Sequence, residues 1–200
     1  AAVTSRSVAQ SNNMQRWNLP AETLSVGTAY AADARGLQGG LTNPASLSRI
    51  STNQFVLEYQ SWGESWDLFS GGVAVPWYGG HALALQASWL DYGELEPRDP
   101  NELFRPQGNE FEGGLTYSYR VHSAAALGVS AKVYTVELDF QDRKTELAGT
   151  MGVLVNPFHN LWMGALVKNL GSSVKFGDTE DKLPNEYRAG VAWYVLNVPG

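Results

Sequence analysis

The chain has 200 residues, enough for one domain with a full core or for one barrel. Its net charge of −6 argues against nucleic acid as the main partner. It has no cysteine, which excludes disulfides, thiolate metal sites, a thiol nucleophile and a lipid anchor on an N-terminal cysteine. Charged residues make up 17%, below the roughly 25% of an average soluble domain. With 21 Gly, 7 Trp and 9 Tyr, the composition suits a β-protein with much apolar surface.

The opening AAVTSRSV has neither an initiator Met nor an apolar signal core, so the chain reads as mature or trimmed. No run approaches the roughly 18 apolar residues of a transmembrane helix. A transmembrane β-barrel is signalled by alternation instead and stays open. Residues 1–20 are polar and weakly patterned, as in a draped N-terminal segment. A short strand is expected near Leu24–Ala31. Next, Asn43 is a good N-cap and Pro44 suits the first helical position, so a short helix through Ala45–Arg49 is expected, with Leu47 and Ile50 three apart.

From residue 53 onward the pattern changes to period two. In FEGGLTYSYRV (111–121), Phe111, Leu115, Tyr117, Tyr119 and Val121 share one face. Glu112, Thr116, Ser118 and Arg120 share the other, the signature of a strand with one apolar and one polar side. FVLEYQSW (55–62) behaves likewise, as do Trp66–Val75, Ala82–Tyr92, Ala125–Phe140, Glu146–Val155, Leu161–Leu170 and Glu186–Leu196. That makes eight strands after residue 50, or nine with Leu24–Ala31. Most are about ten residues or longer, which matches a tilted bilayer crossing better than the usual globular strand.

Long connections at 93–110, 139–146 and 171–185 alternate with brief ones at 121–124 and 156–160, as in an outer-membrane barrel. The short WGESW (62–66) departs from that rhythm. Aromatics fall near strand ends, and Trp62, Trp66, Trp77, Trp89, Tyr92 and Trp162 are the candidates for boundary girdles. The fold expected is all-β: an antiparallel up-and-down transmembrane β-barrel (51–200) preceded by a plug-like N-terminal region (1–50). Its partner is outer-membrane lipid, in the envelope of a diderm bacterium. A soluble sandwich or lipocalin-like barrel is the competing fold.

Enzyme chemistry has no positive support. His81, His122 and His159 form no HxH or HExxH pair, GLQGG (36–40) lacks the strand–GxGxxG–helix context, and no GxSxG occurs. No metal or cofactor is expected. Seven ionisable residues are the candidate lumen lining: Glu58, Glu112, Arg120, Lys132, Glu137, Lys168 and Arg188. In a narrow barrel they pair into a filling network; in a wider one they line a water-filled path.

Two segments carry a family resemblance. AYAADARGLQGGLTNPASLSRI (29–50) resembles the Asn-Pro-Ala signature near the N-terminus of FadL-type outer-membrane transporters and of the related PorV/PorQ family. Gly27, Ala29, Ala32, Asp33, Asn43, Pro44, Ala45 and Leu47 match it, while Thr42 stands where the family has tryptophan. LPNEYRAGVAWYV (183–195) is similar to the family's Leu-Pro, spacer, Arg-x-Gly strand opening at Leu183, Pro184, Arg188 and Gly190. The resemblance implies a barrel with its N-terminal segment inside the lumen, Asn43, Pro44, Ala45 and Leu47 shaping that plug. It implies work within a type IX-like secretion or surface-assembly complex, or passage of a hydrophobic ligand; a scaffold role in an envelope complex is the further alternative. Such barrels have about 14 strands. Eight or nine must therefore close alone, be completed by a partner, or be a fragment, and the fragment reading is preferred.

Overall fold

The computed structural model describes residues 31–62, 66–94, 107–138, 142–171, 173–176, 179–182 and 185–194. Expectations for residues 1–20 and for a strand beginning at Leu24 lie outside this set. Ten strands follow two short helical segments. They are β1 (Gln54–Trp62), β2 (Trp66–Trp77), β3 (His81–Glu94), β4 (Gln107–His122), β5 (Ala125–Leu138), β6 (Asp142–Phe158), β7 (Leu161–Gly171), β8 (Ser173–Phe176), β9 (Thr179–Lys182) and β10 (Glu186–Trp193). Eight of them form one antiparallel up-and-down sheet in the order β1-β2-β3-β4-β5-β6-β7-β10. β8 and β9 pair only with each other, an excursion between β7 and β10 that periodicity did not announce. The sheet is not closed: among the described residues β1 and β10 are edges, so eight strands do not make a barrel by themselves.

Strand bounds follow the alternation closely. β4 spans 16 residues and β6 spans 17, longer than expected because pairing continues into their polar ends. The register has one property that organises everything else. Partners such as Phe69↔Trp89, Leu85↔Leu115 and Val129↔Met151 join odd to odd, and Ser88↔Glu112 or Lys132↔Ala148 join even to even. Because side chains alternate along each strand, odd positions share one face of the sheet and even positions the other.

The odd face is apolar and uncovered. Leu57 is 74% exposed, Trp77 66% and Leu85 58%, with Phe55, Phe69, Leu115 and Val191 alongside. It is banded across the strands. Asp67, Asp91, Asn109 and Glu137 form one cross-strand row, and Tyr59, Phe69, Trp89 and Phe111 form the next. Aliphatic rows follow, then Trp77, His81 and Tyr119. His81 stacks on Tyr119 with ring centroids 4.4 Å apart and bonds the Tyr117 hydroxyl at 2.7 Å. On β2 the stretch from Phe69 to Trp77 runs about 27 Å along the strand.

The even face carries small and polar residues and is covered by residues 31–50. A helix, α1 (Gly36–Thr42), is followed by a 3-10 turn over Pro44–Arg49. Glycine is a poor helix former, so α1 is held by packing rather than propensity. Its Gly39 lies against the Ala34 backbone and its Gly40 against Leu47, where a Cβ would crowd. Leu37, Leu47 and Ile50 pack into the space left by Ala74, Ala82 and Ala84 on β2 and β3. Each such buried aliphatic side chain contributes about 1.5–3 kcal/mol.

Candidate functional site

The site consists of the Asn43–Arg49 turn and the polar face beneath it. Asn43 ends α1 and starts the 3-10 turn. Its backbone N–H donates to the Gly39 carbonyl at 2.8 Å, and its side-chain oxygen accepts from the Ala45 N–H at 3.1 Å. The amide nitrogen of Asn43 donates to the Ala31 carbonyl at 2.7 Å and to the Val153 carbonyl on β6 at 3.3 Å. One buried side chain thus caps the turn, ties it to the preceding chain and fastens it to the sheet. Pro44 takes the first helical position, and Pro44, Ala45 and Leu47 are all buried. The expected helix at Ala45–Arg49 is present as this 3-10 turn.

Glycines make the seat. A Cβ at Gly128 on β5 would overlap the Pro44 carbonyl, and one at its register partner Gly152 on β6 would overlap the Asn43 side chain. A Cβ at Gly164 on β7 would strike the Ala31 carbonyl, and its partner Gly190 on β10 lies under Ala31 and Ala32. Of these four glycines only Gly190 was singled out in the sequence, as part of the Arg-x-Gly segment and not as a seat. The available signal was their shared even parity on successive strands.

Polar contacts secure the rest. Ser118 Oγ donates to the Ala45 carbonyl at 3.1 Å, and Arg120 donates to the Ser48 carbonyl. The Arg49 guanidinium lies 4.0 Å from the Trp162 ring centroid, a cation–π contact. At the margins of the sheet the same segment reaches both edges. The Leu37 N–H donates to Gln54 Oε1 on β1 at 2.7 Å, while Arg35 and Asp33 both bond the Tyr194 hydroxyl just beyond β10.

Beside the plug lies a charged network. A register row on the even face runs Glu58, Ser70, Ser88, Glu112, Tyr134, Glu146 from β1 to β6. Glu112 is 1% exposed; it accepts from Lys132 Nζ and from Gln86 Nε2, both at 2.8 Å. Arg188 pairs with Glu186 on the same strand, and Lys168 stands opposite Glu186 on β7. Of the seven candidate lumen residues, Glu58, Glu112, Lys132, Lys168 and Arg188 therefore share this face, and Arg120 joins it as a plug contact. Glu137 does not. It is an odd position, in register with Asn109 and Arg143, on the opposite face.

The girdle candidates also divide by parity. Trp77 and Trp89 project from the apolar face. Trp66 and Tyr92 are even and lie on the other side, edge-to-face at 5.1 Å around buried Leu68 and Leu90. Trp162 is even too, packed against Ala45, Ala126 and Leu154. These three therefore pack on the face that carries Glu112 and not on the uncovered apolar one. The Trp62 side chain lies outside the described set.

Among the described residues no group of three His, Asp or Glu could hold a metal ion, and no helix is long and apolar enough to cross a membrane. The latter bears on helices alone. Comparison with family models, with curated proteins and with solved structures returns no match to this chain.

Proposed function

We propose that this chain is wall and plug of an outer-membrane β-barrel, with residues 31–50 seated against the lumen side. The observation that carries the reading is the inverted face. Aliphatic and aromatic side chains crowd the uncovered side, and ion pairs lie on the covered one. A continuous apolar face of this size on a soluble monomer would be an aggregation surface. In hydrocarbon it is the favoured state, and polar rows bounding aromatic rows suit the two interfaces. In lipid the free edges of β1 and β10 must be paired, because each unpaired N–H or C=O costs several kcal/mol there. Further strands, from this polypeptide or from a partner, meet that need.

Within this class we favour a PorV/PorQ-type component of a secretion or surface-assembly complex over a FadL-like conduit for hydrophobic molecules. The Asn-Pro-Ala and Arg-x-Gly segments support the family reading for both. The covered face supports the first, since Glu112, Lys132, Thr116 and Ser130 offer a greasy solute little. The test is fractionation with crosslinking in the native envelope. The protein is expected in the outer membrane, extracted only by detergent and captured with larger envelope proteins. Recovery in the detergent-free soluble fraction would end the barrel proposal, and recovery as an isolated barrel would end the assembly role.

A further inference from the structure

The cations of the covered face are not fully used by the protein. Arg188 spends its Nε on Glu186, and its Nη1 is buried without a hydrogen-bond partner. Lys168 lies diagonal to Arg188 across the β7–β10 pair, and its side chain has no hydrogen bond to the described residues. Lys168 also lies within electrostatic range of Lys132, with Glu186 and Glu112 the opposing charges. Among the described residues Lys132, Lys168 and Arg188 thus stand with Glu112 and Glu186. Glu112 is already engaged by Lys132 and Gln86, and Glu146, next along the row, has interactions of its own.

The backbone is bent at this point. Met151 pairs with Val167 and Gly149 with Leu170, so Thr150 on β6 stands opposite both Lys168 and Asn169. Asn169 adopts a left-handed backbone, φ 61°. This is a β-bulge, a device that re-aims a side chain and recurs beside functional sites. Ala148, small and in register with Lys132, stands between Lys132 and the strand that carries Lys168. A buried guanidinium N–H without a partner, on the strand next to a lysine ammonium, wants an acceptor with negative charge.

We propose that Arg188 and Lys168, with Lys132 behind them, bind one oxyanion group, a carboxylate or a phosphate, presented by a solute on the covered face beside the plug. Arg188 supplies the planar donor fork, Lys168 a mobile point charge, and the bulge at Asn169 sets their spacing. The inference stands on the covered face alone and does not depend on what surrounds the other face.

Titration of the detergent-purified full chain with inorganic phosphate, acetate and a short-chain phosphatidic acid tests it, at constant ionic strength made up with chloride. Binding is followed by calorimetry and by thermal shift. Saturable binding of phosphate or acetate is expected, weakened about tenfold or more in Arg188→Gln and Lys168→Gln and partly restored in Arg188→Lys. Binding of the phosphatidic acid alone would identify a lipid headgroup as the source of the same oxyanion and also support the site. Absence of saturation by all three probes at roughly 10 mM would overturn it. So would binding unchanged in Arg188→Gln, or lost equally in the exposed-face control Arg143→Gln. Failure here leaves the fractionation result, and with it the barrel reading, untouched.

Discussion

On one face of the sheet Leu57, Leu85 and Leu115 keep more than half of their surface uncovered, while on the other Glu112 keeps 1% and Gln86 6%. The two faces are made by the same strands, one residue apart. Under the barrel reading proposed above, the difference is what a chain does when its surroundings are less polar than its interior. Hydrophobic burial then no longer drives packing of the outer face, and the inner face must be held by hydrogen bonds, ion pairs and close backbone approach.

Four substitutions bear on that contrast. The largest effect is expected on the covered face at Glu112→Ala, which leaves Lys132 without its counter-charge and Gln86 Nε2 without its acceptor. It should cost about 3–5 kcal/mol in denaturant unfolding, and Glu112→Leu with Lys132→Met should recover most of it. A single variant as stable as the parent would show that pairing does not hold this face. On the apolar face, Leu85→Arg separates the two possible surroundings. In a bilayer it should cost about 2–4 kcal/mol at mid-depth, measured by unfolding from lipid vesicles. On a water-exposed sheet the change would stay within about 0.5 kcal/mol.

Next comes Gly152→Val, whose side chain would enter the Asn43 seat. About 1–3 kcal/mol is expected, with increased protease sensitivity of residues 31–50. Gly113→Val, which meets only the movable Phe111 ring on the apolar face, is the control and should change little. The smallest effect is Asn43→Ala, about 1–2 kcal/mol for a lost cap and lost side-chain bonds, seen as a lower melting temperature. If Asn43→Ala equalled Glu112→Ala in cost, the plug rather than the ion network would be what the covered face depends on.

Much of this was legible because alternation is local. Phe111–Val121 names its own faces, and eight such segments give eight paired strands. Asn43-Pro44 likewise announces a turn. What failed was the step from height to face. Trp66, Tyr92 and Trp162 do lie near strand ends, but even numbering already assigned them to the side of Glu112. Glu137 shares odd numbering with Val133. Parity carried across tight turns would have sorted all four. The glycine seat was harder to see. Gly128, Gly152, Gly164 and Gly190 reveal an open strip, but what approaches it comes from residues about 85 to 160 positions away, and no window of sequence contains both. Open edges are equally invisible, because strand count does not state curvature.

The two ties at the margins of the sheet imply an order of assembly. Leu37 to Gln54 encloses 17 residues, while Asp33 to Tyr194 encloses 161. Loop closure costs about 0.6 kcal/mol per doubling of length, so the second tie starts about 2 kcal/mol behind the first. The segment can settle on β1 as soon as that strand exists. Its grip beyond β10 waits for every intervening hairpin to zip. Of the two ties, contact of Tyr194 with Arg35 and Asp33 is then the later to form, and the first to be lost when the sheet begins to open.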